Sequence, residues 1–141
     1  MTDPATLARG VDHIAVAVAE LEEAVERYTA LLGAPPAWRA ESTEQQVRVA
    51  VFAAGPSKIE LMEGTTPDST VARFVAKRGE GLHHVCYAVD DLKGALDRAR
   101  AAGFEVLGTG DDIGVEGRPV AFLHPRSTGG VLTEFIEGTG G

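Results

Sequence analysis

Only one cysteine, Cys86, occurs in the 141 residues, so no internal disulfide can form. It sits in an apolar run and reads as a buried, unreactive thiol rather than a nucleophile. No apolar run approaches the length that crosses a bilayer, and the first ten residues lack a signal peptide's apolar stretch. A cytoplasmic protein is the expectation. Lys and Arg nowhere cluster along the chain, and the net charge of −8 argues against nucleic acid or an anionic membrane as partner. A small anionic substrate stays open, because a bound cation can set the field in its own pocket.

Hydrophobic residues make up 44% of the chain and charged residues 24%, the balance of a globular protein rather than a disordered one. The length suits one ordinary domain, or two half-size modules sharing a core. Seventeen glycines and seven prolines fit many short turns between strands.

An internal repeat constrains the fold more than any single element. His13-Ile-Ala-Val-Ala-Val-Ala-Glu-Leu21 aligns with His84-Val-Cys-Tyr-Ala-Val-Asp-Asp-Leu92. Each segment starts at His, alternates into a strand, and leads into a helical pattern: Leu21, Ala24, Val25, Tyr28, Leu31 and Leu32 in the first, Leu92, Ala95, Leu96 and Ala99 in the second. Gly33 and Gly103 then end the two helices. Further on, Ile59-Glu60-Leu61-Met62-Glu63 matches Thr133-Glu134-Phe135-Ile136-Glu137. The histidines are 71 residues apart and the central glutamates 74.

Each module therefore reads as strand, helix, then three strands. The first places a strand near 11–18, a helix near 20–32, and strands near 36–42, 46–53 and 57–63. The second places a strand near 82–89, a helix near 91–102, and strands near 104–108, 118–124 and 130–137. Between them, Pro67-Asp-Ser-Thr70 reads as a turn and cap opening a short helix at 71–77. Residues 1–9 and 138–141 read as loosely held ends.

Strand alternation then sorts the faces. Ile14, Val16 and Val18 form the bulky set that packs on the helix, leaving His13, Ala15 and Ala17 on the other face. Val85, Tyr87 and Val89 do the same for His84, Cys86 and Ala88. Ile59 and Leu61 flank Glu60; Thr133 and Phe135 flank Glu134. If the modules pair about a pseudo-twofold axis, His13, Glu60, His84 and Glu134 converge in a concave sheet. Two imidazoles and two carboxylates suit a divalent first-row ion such as Co²⁺, Mn²⁺, Ni²⁺ or Zn²⁺, with two adjacent octahedral positions left for water or substrate. His83 falls on the face opposite His84, where a structural or supporting role is the default. His124, before Pro125 at a strand end, reads as a loop-shaping residue.

These residues resemble a known family. Paired βαβββ modules around a His/Glu metal site resemble the vicinal oxygen chelate superfamily, which implies an α+β fold. Two tandem modules then form a curved, partly open mixed β-sheet around the metal, with helices outside and a single domain over 10–138. Within that domain, module one spans about 10–65, a linker helix about 68–78 and module two about 80–138. From Val11 to Glu137 the chain looks like the methylmalonyl-CoA epimerases. The motifs are Val-Asp-His-Ile-Ala-Val-Ala-Val (11–18), Lys-Ile-Glu-Leu-Met-Glu (58–63) and Asp-Ser-Thr-Val-Ala-Arg-Phe (68–74). Gly-Glu-Gly-Leu-His-His (79–84) and Phe-Leu-His-Pro-Arg-Ser-Thr-Gly-Gly-Val-Leu-Thr-Glu (122–134) complete the set. The resemblance implies interconversion of the 2R and 2S forms of methylmalonyl-CoA, metal ligation by His13, Glu60, His84 and Glu134, cobalt as the preferred ion, and a homodimer. One departure stands out: some epimerases carry a further catalytic glutamate where this chain has Val49.

Such a reaction removes an α-proton and returns one to the opposite face, with a metal stabilising the enolate as a Lewis acid. Glu134 is the expected base on one face; Glu60 ranks first for the other, ahead of Glu44 or a water. Lys77, Arg78, Arg118 and Arg126 are the cations considered for the CoA portion, with the 126–130 loop as a possible source of backbone N–H groups for an anion. The rival readings are a glyoxalase I-like lyase acting on a hemithioacetal, and a resistance protein that binds a small ligand without turnover.

Overall fold

The computed structural model describes residues 8–138 of the chain, in eight strands and three α-helices. In order these are β1 (Ala8–Ala17), α1 (Leu21–Leu32), β2 (Trp38–Ser42), β3 (Val47–Ala54) and β4 (Ser57–Gly64). Then come α2 (Thr70–Arg78), β5 (Gly81–Val89), α3 (Leu92–Ala101), β6 (Val106–Leu107), β7 (Val120–Leu123) and β8 (Thr133–Glu137). The chain divides into two compact units: one is His13–His83, and the other takes residues up to Asp12 together with those from His84 onward. No helix among the described residues is long and apolar enough to cross a membrane.

Both units are wired alike. In the first, β1 runs parallel to β4, and β4, β3 and β2 follow as antiparallel neighbours. In the second, β5 runs parallel to β8, with β7 and β6 antiparallel beyond it. A parallel pair needs a crossover between its strands, so each His-bearing strand is followed by a helix before its Glu-bearing partner arrives.

The amphipathic pattern decides which face each helix covers. Leu21, Ala24 and Val25 of α1 pack on Val16, Val18, Ala50, Phe52 and Leu61. Leu92, Ala95 and Leu96 of α3 pack on Val89 and Ala121, with Phe135 and Val106 beside them. Leu61, fully buried in the first cluster, is a side chain whose truncation to Ala would cost about 2–5 kcal/mol. Gly33 stops α1 by taking a left-handed φ of 82° and donating its N–H to Thr29 O. Ser69 caps α2, its hydroxyl accepting the Ala72 N–H at 3.0 Å.

Four expectations change. Ala8 and Arg9 are not loose: they belong to β1, and Arg9 pairs with Asp90 at 2.6 Å. Gly138 is held too, donating its N–H to Val89 O; residues 1–7 and 139–141 lie outside the described residues. β2 begins at Trp38 rather than near 36, because Pro35 and Pro36 have no N–H to give a ladder. The strand expected over 104–108 shrinks to two residues, since Phe104 N–H turns back to Ala99 O at the end of α3. Finally, β8 starts at Thr133 instead of 130, after a 3-10 turn at Pro125–Ser127 that the sequence pattern did not announce.

Candidate metal and proton-transfer site

Register places the polar residues of the first unit on one face. Cα partners across β1 and β4 are His13 with Lys58, Ala15 with Glu60 and Ala17 with Met62. Across β3 and β4, Val51 lies opposite Glu60 and Val49 opposite Met62. His13, Glu60, Val49 and Val51 therefore share the face turned away from α1. Ala15, fully buried, is the small residue that leaves width for the imidazole. His13 Nε2 stands 3.7 Å from Glu60 Oε2, with side chains only 5% and 7% exposed.

The second unit repeats the arrangement. Cys86 is the Cα partner of Glu134, and Phe122 lies opposite Glu134 on β7. His84 Nε2 and Glu134 Oε1 are 3.0 Å apart, again both buried. The Phe122 ring meets the His84 imidazole edge-on at 5.4 Å between centroids, fixing its tilt. Beneath this pair, Cys86, Ala88, Val120 and Ile136 form a small apolar cluster, so Cys86 is packing material.

Each unit thus contributes one buried imidazole beside one buried carboxylate. Burying a carboxylate is costly unless it is paired or coordinates a cation. Neutral imidazole and carboxylate are the donor types that a divalent first-row ion accepts, so the residues present fit such an ion.

Other expected residues fare variously. Glu44 is exposed in the turn between β2 and β3, off the strand face that carries Glu60. Val49 is 1% exposed and offers no acid or base. His83 packs edge-on against Phe74, centroids 4.9 Å apart. His124 Nδ1 accepts the Arg126 N–H at 3.1 Å and shapes its turn.

Two of the cations considered for CoA are already engaged. Arg126 makes a two-pronged contact with Glu105, at 2.8 and 3.0 Å. Arg118 donates to Asp12 and to both oxygens of Glu116 at 3.1 Å, and to the carbonyl of Gly138 at 2.7 Å. Burial works against the Arg118 charge, but the Asp12 hydrogen bond and the Glu116 field outweigh it and raise its pKa. The 126–130 loop is not an anion nest either. The N–H groups of Ser127, Thr128 and Gly130 point inward to the carbonyls of His124 and Pro125.

Sequence reasoning missed three contributors. Phe122 steers His84, Asp12 anchors the residue beside His13 to Arg118, and Lys58 stands in register with His13. Lys58 was within reach, since it precedes Glu60 by two positions and must share its face. The Asp12–Arg118 pair joins residues 106 positions apart and leaves no local signal.

The duplicated strand–helix–strand wiring and its paired imidazole–carboxylate sites define the class. The chain belongs to the glyoxalase/bleomycin resistance protein/dioxygenase superfamily, whose family model matches residues 12–122. Its relatives narrow this further. It is 39% identical over 126 residues to the ethylmalonyl-CoA/methylmalonyl-CoA epimerase of Cereibacter sphaeroides, covering 88% of this chain and 94% of that one. The crystal structure of methylmalonyl-CoA epimerase from Mycobacterium tuberculosis superposes with a TM-score of 0.89 at 31% identity, covering 99% of this chain and 94% of that one. A methylmalonyl-CoA epimerase in complex with methylmalonyl-CoA and NH4+ matches with a TM-score of 0.89 at 33% identity, covering 93% of this chain and 95% of that one.

Proposed function

We propose that this chain is a metal-dependent epimerase that interconverts (2R)- and (2S)-methylmalonyl-CoA by moving a proton off and onto the same carbon. The observation that carries the reading is the buried His84–Glu134 pair, repeated in kind by His13 and Glu60, in a chain whose relatives are named for that reaction. The four residues are the ligand set of one divalent ion, and residues 10–138 work as a single domain.

Bound there, the ion supplies Lewis acidity toward the thioester and carboxylate oxygens of the substrate. The side chains do the rest. Glu134 takes the α-proton from one face: the C–H bond breaks, its electron pair spreads into the thioester carbonyl, and the carboxylate becomes a carboxylic acid. Glu60, at the equivalent place in the other repeat, starts as the carboxylic acid, gives its proton to the opposite face of the carbon and ends as the carboxylate, the reverse reaction running from Glu60 to Glu134. Val47, Val49 and Val51 line the Glu60 face with hydrocarbon and offer water no partner there. Phe122 keeps the His84 ring from rotating away from Glu134.

Cobalt is the ion we assign, a homodimer the working form and the cytoplasm the compartment. The donor types admit the first among other first-row ions, the family resemblance favours it, and Leu31 and Leu82, both strongly exposed, support the second. Reconstitution with Co²⁺, Mn²⁺, Ni²⁺ and Zn²⁺, sedimentation, and fractionation test the three.

The deciding experiment incubates metal-loaded protein with methylmalonyl-CoA in D₂O. Wild type should exchange the α-proton, metal-stripped protein should not, and Glu134→Gln should be slower by about 10²–10⁴-fold. Exchange by Glu134→Gln at the wild-type rate would remove the base from this scheme. Turnover of a hemithioacetal with no α-exchange would make the chain a lyase instead.

A further inference from the structure

We propose that Asp12 and Arg118 are positioning residues for His13: Arg118 holds the Asp12 carboxylate, and that carboxylate orients the His13 imidazole toward the divalent ion. The inference rests on His13 being a metal ligand in the epimerase reading. Asp12 is the one carboxylate in the Val11–Val18 motif, and the proton-transfer scheme gives it no task. Its side chain is 3% exposed, less than that of His13, Glu60, His84 or Glu134. A carboxylate so deeply buried is costly unless paired, and a well-packed apolar residue often serves a fold as well.

The pairing is specific. Arg118 Nη2 donates to Asp12 Oδ1 at 3.1 Å, and the same guanidinium donates to both oxygens of Glu116 and to the carbonyls of Glu137 and Gly138. Glu116 lies in a turn closed by the Gly117 N–H on Gly114 O at 2.9 Å. The Arg118 carbonyl accepts the Gly114 N–H at 3.0 Å, and Pro119 O accepts the Glu137 N–H at 2.9 Å. The guanidinium is thus fixed by a turn on one side and by the end of β8 on the other. Asp12 and Arg118 belong to one compact unit, and the next begins at His13, so the clamp grips the chain at the residue bonded to the ligand.

A carboxylate oxygen of Asp12 and a ring nitrogen of His13 lie within 4.8 Å of one another, a gap that one ring rotation or one bridging water closes. His13 Nε2 is the nitrogen beside Glu60. An imidazole that gives one nitrogen to a cation carries an N–H on the other. A carboxylate accepting that N–H fixes the ring and strengthens the ligating nitrogen as a donor. The second repeat uses a different device. There the residue before the ligand is His83, packed on Phe74, and the Phe122 ring meets His84 edge-on.

The bland alternative is that the ion pair only ties the turn to the sheet, which would affect stability and not the ion. Calorimetric titration of metal-free protein with Co²⁺, each variant kept below its own melting temperature, separates the two. Asp12→Asn keeps the shape and removes the charge; it should weaken Co²⁺ binding about tenfold, Arg118→Met by a similar factor, and Arg118→Lys, which keeps a cation, by less. The decisive comparison is made in His13→Ala. There Asp12→Asn should change the Co²⁺ affinity by less than about twofold, because the imidazole it orients is gone. Arg118→Met in the same two backgrounds gives the comparison from the other partner, so either variant decides the matter if the other does not fold. Unchanged Co²⁺ affinity, or an equal loss with and without His13, would overturn the proposal. A protein that binds Co²⁺ in the expected pattern but exchanges no α-proton would defeat the epimerase reading and leave this one standing.

Discussion

Glu137 Oε1 accepts the backbone N–H of Leu92 at 3.0 Å, so the last residue of β8 closes the first turn of α3. Glu63, at the end of β4, makes the same contact with Leu21 N–H at the start of α1, also at 3.0 Å. A carboxylate beside unsatisfied N–H groups at a helix start serves both as hydrogen-bond acceptor and as favourable charge. In α1 this matters more, because Glu20 at the cap position makes no side-chain cap, whereas Asp91 caps α3 through Gly94 N–H. Glu63→Ala should therefore cost about 1 kcal/mol and Glu137→Ala somewhat less, read from urea unfolding midpoints at constant slope. A cost ordering the other way would contradict the cap assignment.

Removing the Arg118 guanidinium takes a charged partner away from Asp12, whose side chain is 3% exposed. Arg118→Met should destabilise the protein by about 3 kcal/mol, while Asp12→Asn, which keeps a carbonyl acceptor, should cost less. Thermal melts of both variants check the order.

Gly64 cannot gain a side chain. A methyl there meets Ser69 Oγ at 2.1 Å and the backbone N of Ala72 at 2.8 Å, and backbone does not step aside. Gly64→Ala should lower stability by about 1–3 kcal/mol as an overpacking change. An unchanged melting temperature would mean that α2 is not seated against Gly64.

Metal should act as a stabilising ligand of the folded chain. At a hundred times its dissociation constant, one ion adds about 2.7 kcal/mol, and a chelator should remove it. His84→Ala and His13→Ala should each blunt that response. An equal shift in wild type and both variants would place the ion elsewhere.

The Glu105–Arg126 pair gives a pH signature. Hydrogen bonding from Arg126, against slight desolvation, holds the Glu105 carboxyl below its ordinary 4.5. A folded-state pKa below the unfolded one means stabilisation that is full above about 4.5 and disappears as pH falls through the folded value. Arg126→Gln should thus be slightly less stable than wild type at neutral pH, and the difference should close in acid. High salt should shrink it too, since both side chains are exposed.

Much of this was legible in the sequence because it is periodic. Alternation around His13 and His84 fixes which residues face the helices, and the spaced repeat of Glu60 and Glu134 announces their equivalence. What escaped is held by partners distant in the chain. Glu63 and Glu137 look like solvated strand ends until Leu21 and Leu92 are seen beside them. Arg118 and Arg126 look free until Asp12, Glu116 and Glu105 arrive. The two-residue β6 follows from where Phe104 finds its hydrogen bond, which composition alone does not reveal.

The outermost strands of the two units bear on how the protein behaves when concentrated. β2 carries Arg39 and Glu41 among its five residues, with Arg39 bound to Glu22, and β6 is only two residues long. A growing fibril needs a long, flat, uncharged border on which to lay the next molecule. Neither β2 nor β6 offers such a border, so strand addition at these two margins is disfavoured.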